Sequence, residues 1–253
     1  MIAICVIPAR YGSTRFPGKP LAKILNKPMI RWVYEQAQKA NKFEKVLVAT
    51  DDKRIAQVVQ AFGGEVCMTP SDLPSGTDRV ALAVKNLQAD VVVNLQGDEP
   101  LVSPHLLDRL VEVFETKPEI EVATPLKKIT KIEDLSNPNL VRVVKDNNNF
   151  ALYFTRSIIP FLRDVPEQQN WLNHFSFFKH VGIYAYRKNF LLKLTSLSQG
   201  SLEKAEKLEQ LRILEHGHKI YTIETDYESV SVDTPQELEH LNQMLKKQTK
   251  GKP

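Results

Sequence analysis

The sequence predicts an α/β protein: a doubly wound, mostly parallel sheet with a smaller β-rich excursion. Three observations carry this. Short apolar runs rich in β-branched residues alternate with helical stripes through the first half of the chain. Polar clusters follow the carboxyl ends of those runs. Between about residues 122 and 190 the alternation gives way to short strand-like pieces separated by turn-rich segments.

The elements follow in order. Residues 2–7, 46–49 and 91–95 are short continuous apolar runs, as expected of strands buried on both faces. Between them lie helices with a clear stripe. Ile30, Val33, Tyr34 and Ala37 sit at i, i+3, i+4 and i+7 behind Pro28; Ile55, Val58, Val59 and Phe62 repeat the spacing, closed by Gly63-Gly64. Ser103 reads as an N-cap and Pro104 as the first helical residue ahead of Leu106, Leu107, Leu110, Val111 and Phe114. In the excursion, 140–144, 151–155 and 181–186 read as strands between turns at 136–139 and 146–149. We expect this region to cover one end of the sheet and to form a subunit contact. A helix carrying Leu202, Ala205, Leu208 and Leu211 follows, and the last helix opens on a capping box, Thr234-Pro235-Gln236-Glu237. No internal repeat is present, and residues 1–253 read as one domain.

Composition narrows the function. A chain of 253 residues, 42% hydrophobic and 25% charged, can build a large core without staples. Two cysteines, Cys5 and Cys67, exclude a disulfide scaffold and favour a reducing compartment. The first apolar run is far shorter than the ~18 residues of a membrane span and lacks a signal-peptide lead-in. The expectation is a cytoplasmic protein with no membrane partner. The net charge of +4 includes a basic tail (Lys246, Lys247, Lys250, Lys252), so the body is nearly neutral and offers no footprint for nucleic acid.

Ligands of open α/β sheets bind beyond the carboxyl ends of the strands. After the first strand, Arg10, Arg15 and Lys19 stand among Gly12, Ser13 and Gly18, a setting suited to a polyphosphate. The loop is not a Walker A motif: five residues separate Gly12 from Gly18, and Pro20 follows Lys19 where a metal-liganding hydroxyl is needed. No G-x-G-x-x-G follows a strand, which argues against a dinucleotide oxidoreductase. Asp98 and Asp233 are then the natural ligands for Mg2+, which prefers a few carboxylates plus phosphate oxygens and water. Ser75-Gly76-Thr77-Asp78-Arg79 is a turn into a helix, able to cap it or to receive a base or phosphate. His180, Gly182 and Tyr184 alternate onto one strand face. Glu209 and Gln210 lie on an amphipathic helix. Cys5 sits inside a buried strand and is no nucleophile.

Taken together, segments 7–21 (IPARYGSTRFPGKPL), 63–79 (GGEVCMTPSDLPSGTDR), 94–101 (NLQGDEPL), 151–160 (ALYFTRSIIP), 180–186 (HVGIYAY), 208–212 (LEQLR) and 232–235 (VDTP) closely resemble the 3-deoxy-manno-octulosonate cytidylyltransferase family, also called CMP-Kdo synthetases. The match is ordered and covers nearly the whole chain. It implies a nucleotide-diphospho-sugar transferase-like, Rossmann-like fold, a homodimer, and a product that feeds lipopolysaccharide biosynthesis. Position by position, it implies CTP phosphate contacts from Arg10, Arg15 and Lys19, and cytidine near Ser75, Arg79 and Gln96. It places Mg2+ on Asp98 and Asp233, and the sugar acid near Arg156, His180, Tyr184, Glu209 and Gln210. Arg10, Lys19, Asp98 and Asp233 would be the catalytic set. Gly200 departs from the family, whose members often carry Pro nearby. A sibling group activates an 8-amino version of Kdo and shares most segments; Glu99 matches the Kdo form, where the sibling carries Gln.

The expected reaction is nucleotidyl transfer from CTP to Kdo, giving CMP-Kdo and pyrophosphate. Both substrates are anions, and each unit-charge pair at ~4 Å and an effective dielectric near 20 is worth about 4 kcal/mol. Positioned cations and magnesium must offset that repulsion. The alternatives are a sibling CMP-sugar-acid synthetase acting on amino-Kdo or sialate, a non-catalytic nucleotide-binding regulator, and a nucleic-acid module.

Overall fold

The computed structural model describes residues 1–12 and 16–250, with side chains described through residue 247. Twelve strands and ten α-helices are described. In chain order they are β1 (Ala3–Ala9), β2 (Lys23–Ile24), β3 (Lys27–Pro28), α1 (Met29–Gln38), β4 (Lys45–Thr50), α2 (Lys53–Ala61), β5 (Glu65–Met68), α3 (Gly76–Val84), β6 (Val91–Asn94), α4 (Pro104–Thr116) and β7 (Val122–Lys128). There follow α5 (Ile132–Ser136), β8 (Arg142–Lys145), β9 (Ala151–Thr155), α6 (Trp171–His174), β10 (Phe178–His180), β11 (Tyr184–Arg187), α7 (Lys188–Leu194), α8 (Ser201–Glu206), α9 (Leu211–Glu215), β12 (Tyr221–Glu224) and α10 (Pro235–Lys250).

The central sheet runs β5-β4-β1-β6-β11-β7-β10-β8-β9, with β12 beside β7. The β5-β4-β1-β6 half is parallel, as the alternating pattern predicts. Its strands divide their side chains between two cores. Ala3, Cys5, Ile7 and Ala9 of β1, with Val46, Val48, Val91 and Val93, meet the stripes of α1, α2 and α4. The intervening Ile4, Val6, Leu47, Ala49 and Val92 meet α3, α7 and α9. Period-two strands with both faces covered explain why these runs are apolar without interruption.

The helix signals hold locally. Asp52, Ser75 and Ser103 cap α2, α3 and α4 through their side chains. Gly63 takes φ 81°, and the amides of Gly63 and Gly64 bond back to Gln60 and Val59 at 2.9 Å, closing α2 as a Schellman turn. The capping box of α10 forms in both directions: Thr234 Oγ1 accepts the Glu237 amide at 3.3 Å, and Glu237 Oε2 accepts the Thr234 amide at 2.9 Å.

Three expectations change. The β-rich excursion joins the central sheet as its antiparallel half instead of covering one end of it. The strand expected over 181–186 is two strands. β7 pairs with β11 through Val122–Ala123 and with β10 through Leu126–Lys128, so the chain turns at residues 181–183 to pass from one pairing to the other. The single helix expected around 202–211 is α8 and α9, broken where Lys207 takes φ 55°. A buried two-pronged contact between Arg212 and Glu203 (2.8 and 2.7 Å) joins the two helices, and Glu215 of α9 accepts the first amides of α8. Tertiary pairing thus overrides a helical stripe.

A third cluster joins α10 to the small β2–β3 hairpin through Ile24, Met29, Val232, Leu241 and Leu245. It brings residues near the end of the chain back onto the loop after β1. Thr234→Ala should cost about 1 kcal/mol of unfolding free energy in urea titrations; an unchanged midpoint would show that the box contributes nothing to stability.

Candidate active site

The carboxyl ends of β1 and β6 and the amino end of α3 enclose a cavity of about 430 Å³. Arg10, Lys19, Ser75, Arg79, Gln96, Asp98 and Asp233 line it, together with Pro8, Pro20, Pro74, Gly76 and Gly97. Seven of the predicted nucleotide and metal residues therefore meet at one place. Arg15 lies outside the described residues.

Two glycines bring these ends together. A Cβ on Gly97 would stand 3.2 Å from the Pro8 carbonyl oxygen, so glycine lets the loop after β6 approach the end of β1. Gly18 takes φ 71° and fits against the Tyr11 ring, its amide bonding the Tyr11 carbonyl at 2.9 Å. That turn begins the short helical segment carrying Lys19. The Tyr11 ring also receives the Arg54 guanidinium, 3.4 Å from its centroid.

Lys19 Nζ lies 2.6 Å from Asp98 Oδ2 and 2.9 Å from Asp233 Oδ1. Burial opposes the ammonium charge, but the two carboxylates outweigh it and hold the Lys19 pKa above its ordinary value. The aspartates thus surround a single positive centre with oxygen donors. Two carboxylates open to a cavity are a donor set that magnesium takes together with water and phosphate oxygens, so the residues present fit that ion. Among the described residues no cluster of three or more His, Cys, Asp or Glu could hold a metal instead.

The cytidine candidates differ in freedom. Arg79 is 3% exposed and tied down by the Thr69 hydroxyl, the Pro70 carbonyl at 3.2 Å and Asp51 at 3.4 Å. Ser75 caps α3 and also reaches Glu209 Oε1 at 3.0 Å and Asp78 Oδ2 at 2.7 Å. Its cap role and its place in the cavity coexist.

A smaller cavity of about 80 Å³ adjoins, lined by Thr77, Asn94, Gln96, Tyr184, Tyr186, Glu209 and Gln210. Gln96 borders both. A chain of hydrogen bonds runs from Gln96 to Asn94 (3.2 Å), Thr77 (3.3 Å) and Glu209 (3.0 Å). Burial raises the Glu209 pKa against the hydroxyls of Thr77 and Ser75, which favour the charged form. The Tyr184 hydroxyl is buried without a sound hydrogen bond, because the nearby Thr124 hydroxyl is engaged by His180 and Ile183. Three predicted sugar residues, Tyr184, Glu209 and Gln210, therefore share one recess.

His180 and Arg156 are placed otherwise. His180 lines neither cavity. Its Nε2 meets the Thr124 hydroxyl at 2.9 Å, its ring stands edge-on to Phe154, and Tyr184 lies 5.2 Å away between ring centres. With the Thr124 proton on the Ile183 carbonyl, Nε2–H is the donor. The break between β10 and β11 also removes the shared strand face expected for His180 and Tyr184. Arg156 follows β9 and donates to the Pro138 and Glu206 carbonyls, lining neither cavity.

The sequence assigned no individual site role to Asn94, Thr77 or Tyr186, all of which line the smaller cavity. Asn94 carried a signal, a polar side chain ending the apolar run Val91, Val92, Val93. Sequence reasoning also weighed Glu99 only as a family marker. Glu99 is 4% exposed and bonds the Tyr227 hydroxyl at 2.9 Å and the Ser229 hydroxyl. Burial pushes its pKa up to about 7, against the pull of those two hydroxyls and with the help of the nearby Asp98 and Asp233 charges.

Comparison with known proteins shows the family and the fold. A family model described as cytidylyltransferase matches residues 4–220. A 3-deoxy-manno-octulosonate cytidylyltransferase of Trichlorobacter lovleyi is 46% identical over 97% of this chain and 99% of its own. An 8-amino-3,8-dideoxy-manno-octulosonate cytidylyltransferase of Shewanella putrefaciens is 48% identical over 97% of this chain and 99% of its own. Among solved structures, a CMP:2-keto-3-deoxy-manno-octonic acid synthetase complexed with CTP superposes with a TM-score of 0.91 at 42% identity, covering 98% of this chain and 100% of that one. A 4-diphosphocytidyl-2C-methyl-D-erythritol synthase from Anaerococcus prevotii shares the fold alone, with a TM-score of 0.63 at 9% identity over 97% of this chain and 98% of that one.

Burial holds His180 neutral, its pKa pushed from 6.5 down to about 3. Between those values the unfolded chain takes up a proton that the folded chain refuses, so stability falls as pH drops through this window. The slope from this one group is up to ~1.4 kcal/mol per pH unit. Urea denaturation of His180→Gln should show an acid-side loss shallower by that amount, and an unaltered slope would mean that His180 charges freely within the fold.

Proposed function

We propose a function from one premise: the chain belongs to the cytidylyltransferase family. It is a nucleotidyltransferase that joins CTP to 3-deoxy-manno-octulosonate (Kdo), giving CMP-Kdo and pyrophosphate. The observation that carries this reading is the meeting of Lys19, Asp98 and Asp233 in the large cavity, with Arg10, Arg79 and Gln96 on its walls and a second recess beside it.

The residues divide the work as their positions suggest. Arg10 and Lys19 supply positive charge for the triphosphate, whose approach to a sugar carboxylate is otherwise repulsive. Ser75, Arg79 and Gln96 bind the cytidine, and Arg79, locked by Asp51, Thr69 and Pro70, needs no reorganisation when it does so. Asp98 and Asp233 would hold magnesium, which would polarise the α-phosphate and offset charge on the leaving pyrophosphate. The smaller recess, with Tyr184, Glu209 and Gln210, receives the sugar acid. The anomeric hydroxyl attacks the α-phosphorus in line, its proton passing to solvent, and the bond from that phosphorus to the oxygen shared with the β-phosphate breaks, so that pyrophosphate leaves.

The enzyme works in the cytoplasm as a homodimer, and its product serves lipopolysaccharide biosynthesis. Exposed Phe161 (76%) and Phe175 (42%) on the excursion support a subunit contact there. Among the described residues no helix is long and apolar enough to cross a membrane.

Pyrophosphate release, assayed across nucleotides with Kdo, 8-amino-Kdo and sialate as acceptors, tests the reading. Release should require CTP and be fastest with Kdo; a preference for the amino sugar would move the chain to the sibling activity, and release with none would make it a nucleotide-binding regulator. Lys19→Ala should lower turnover by about 100-fold or more with the fold intact, as expected for loss of a charge aimed at the transition state. Asp233→Asn should raise the magnesium concentration needed for half-maximal rate, and an unmoved titration would remove Asp233 from the site.

A further inference from the structure

Asp98 and Glu99 are neighbours with different surroundings. Asp98 lines the cavity, while Glu99 is almost wholly buried. The segment that delivers Asp233, residues 225–233, links β12 to α10 without regular secondary structure. Its position is therefore set by the groups that fasten it. At its start the Thr225 amide bonds the Leu126 carbonyl at 2.9 Å, and Lys127 Nζ reaches the Asp226 carbonyl at 2.5 Å. Glu228 is gripped by Lys179 at 2.6 Å and Lys127 at 3.2 Å. At its end the Val232 amide bonds the backbone carbonyl of Asp98 itself at 3.1 Å.

Glu99 provides the middle fastening. One carboxyl oxygen accepts from the Tyr227 hydroxyl and the other from the Ser229 hydroxyl. Both donors belong to the segment, and neither lines the cavity. We propose that Glu99 is a positioning residue, buckling residues 225–233 to the backbone of Asp98 so that the two metal-binding aspartates face each other at a fixed separation.

The inference rests on the reading of Asp98 and Asp233 as the magnesium pair. It differs from a merely structural role in what it moves. Loosening the buckle frees Asp233 relative to Asp98 while leaving Arg10, Ser75 and Arg79 on elements that the segment does not fasten. Metal-dependent properties should suffer and metal-independent nucleotide binding should not. Groups that orient metal ligands from behind typically alter metal affinity or activity by 10–100-fold when removed.

The test uses the full chain with Tyr227→Phe and Ser229→Ala combined, which removes both donors and leaves Glu99 in place, and separately Glu99→Asp, which shortens its reach. Calorimetry measures CTP affinity with and without magnesium, and steady-state rates are measured alongside. We expect folded variants whose CTP affinity in EDTA stays within about 2-fold of the parent. The gain in affinity on adding magnesium should shrink by about 10-fold, and kcat should fall by at least as much. Folded variants with the parental magnesium gain and kcat would overturn the proposal, as would equal losses of CTP affinity with and without the metal. Asp233→Asn in the same assay separates the two levels. A parental magnesium gain in that variant overturns the magnesium pair and the buckle together. A lost gain there beside unaffected buckle variants overturns the buckle alone.

Discussion

Two carboxylates brought within reach of one cation repel each other when that cation leaves. At ~5 Å and an effective dielectric near 20 the cost is about 3 kcal/mol, enough to spread an unsupported loop. In this protein Asp98 and Asp233 lie 2.6 and 2.9 Å from Nζ of Lys19, a residue 79 positions from the first and 214 from the second in sequence. The arrangement is bearable because each partner is mounted on a different fixed support. Lys19 follows the left-handed turn at Gly18, Asp98 follows the end of a fully buried strand, and Asp233 precedes a capped helix. The lysine offsets one of the two negative charges, so both acidic residues can share the cavity wall.

The sheet serves this constraint. Parallel strands with both faces covered must end in loops at one edge, and the loops after β1 and β6 lie side by side because the strands do. The antiparallel half adds the second recess to the same edge. β11 runs next to β6, so Tyr184 pairs in register with Asn94, and a residue of the excursion comes to stand beside the last residue of a strand of the parallel half. The path from Gln96 through Asn94 and Thr77 to Glu209 is the polar seam of that junction. Buried groups of this kind persist only when their hydrogen bonds are met. The Tyr184 hydroxyl, in the recess beside that path, is buried without a hydrogen-bond partner and is an exception to that rule.

Much of this was legible in the sequence for a physical reason: local signals report local physics. The apolar runs, the stripes of α1, α2 and α4, the serine caps and the Thr234–Glu237 box each depend on residues within one turn or one pleat, and all formed. Arg10, Lys19 and Asp98 were legible as one cluster because polar chemistry placed directly after a buried strand has one place to go. The resemblance added the sugar residues, and Tyr184, Glu209 and Gln210 did converge. His180 and Arg156 did not line the recess, because their positions depend on which strands pair with β7 and where β9 ends, and neither is written in spacing along the chain.

The sequence by itself determined the α/β class, the parallel half of the sheet and the set of charged residues gathered at its carboxyl edge, since burial pattern and turn chemistry act over a few residues. Only the tertiary structure decided that Lys19 would sit between the two aspartates, that α8 and α9 would part at Lys207, and that Glu99 would turn inward to grip Tyr227 and Ser229. Each of those outcomes rests on partners far apart along the chain. Their energies exist only once the fold has closed the distance, so no local pattern could announce them.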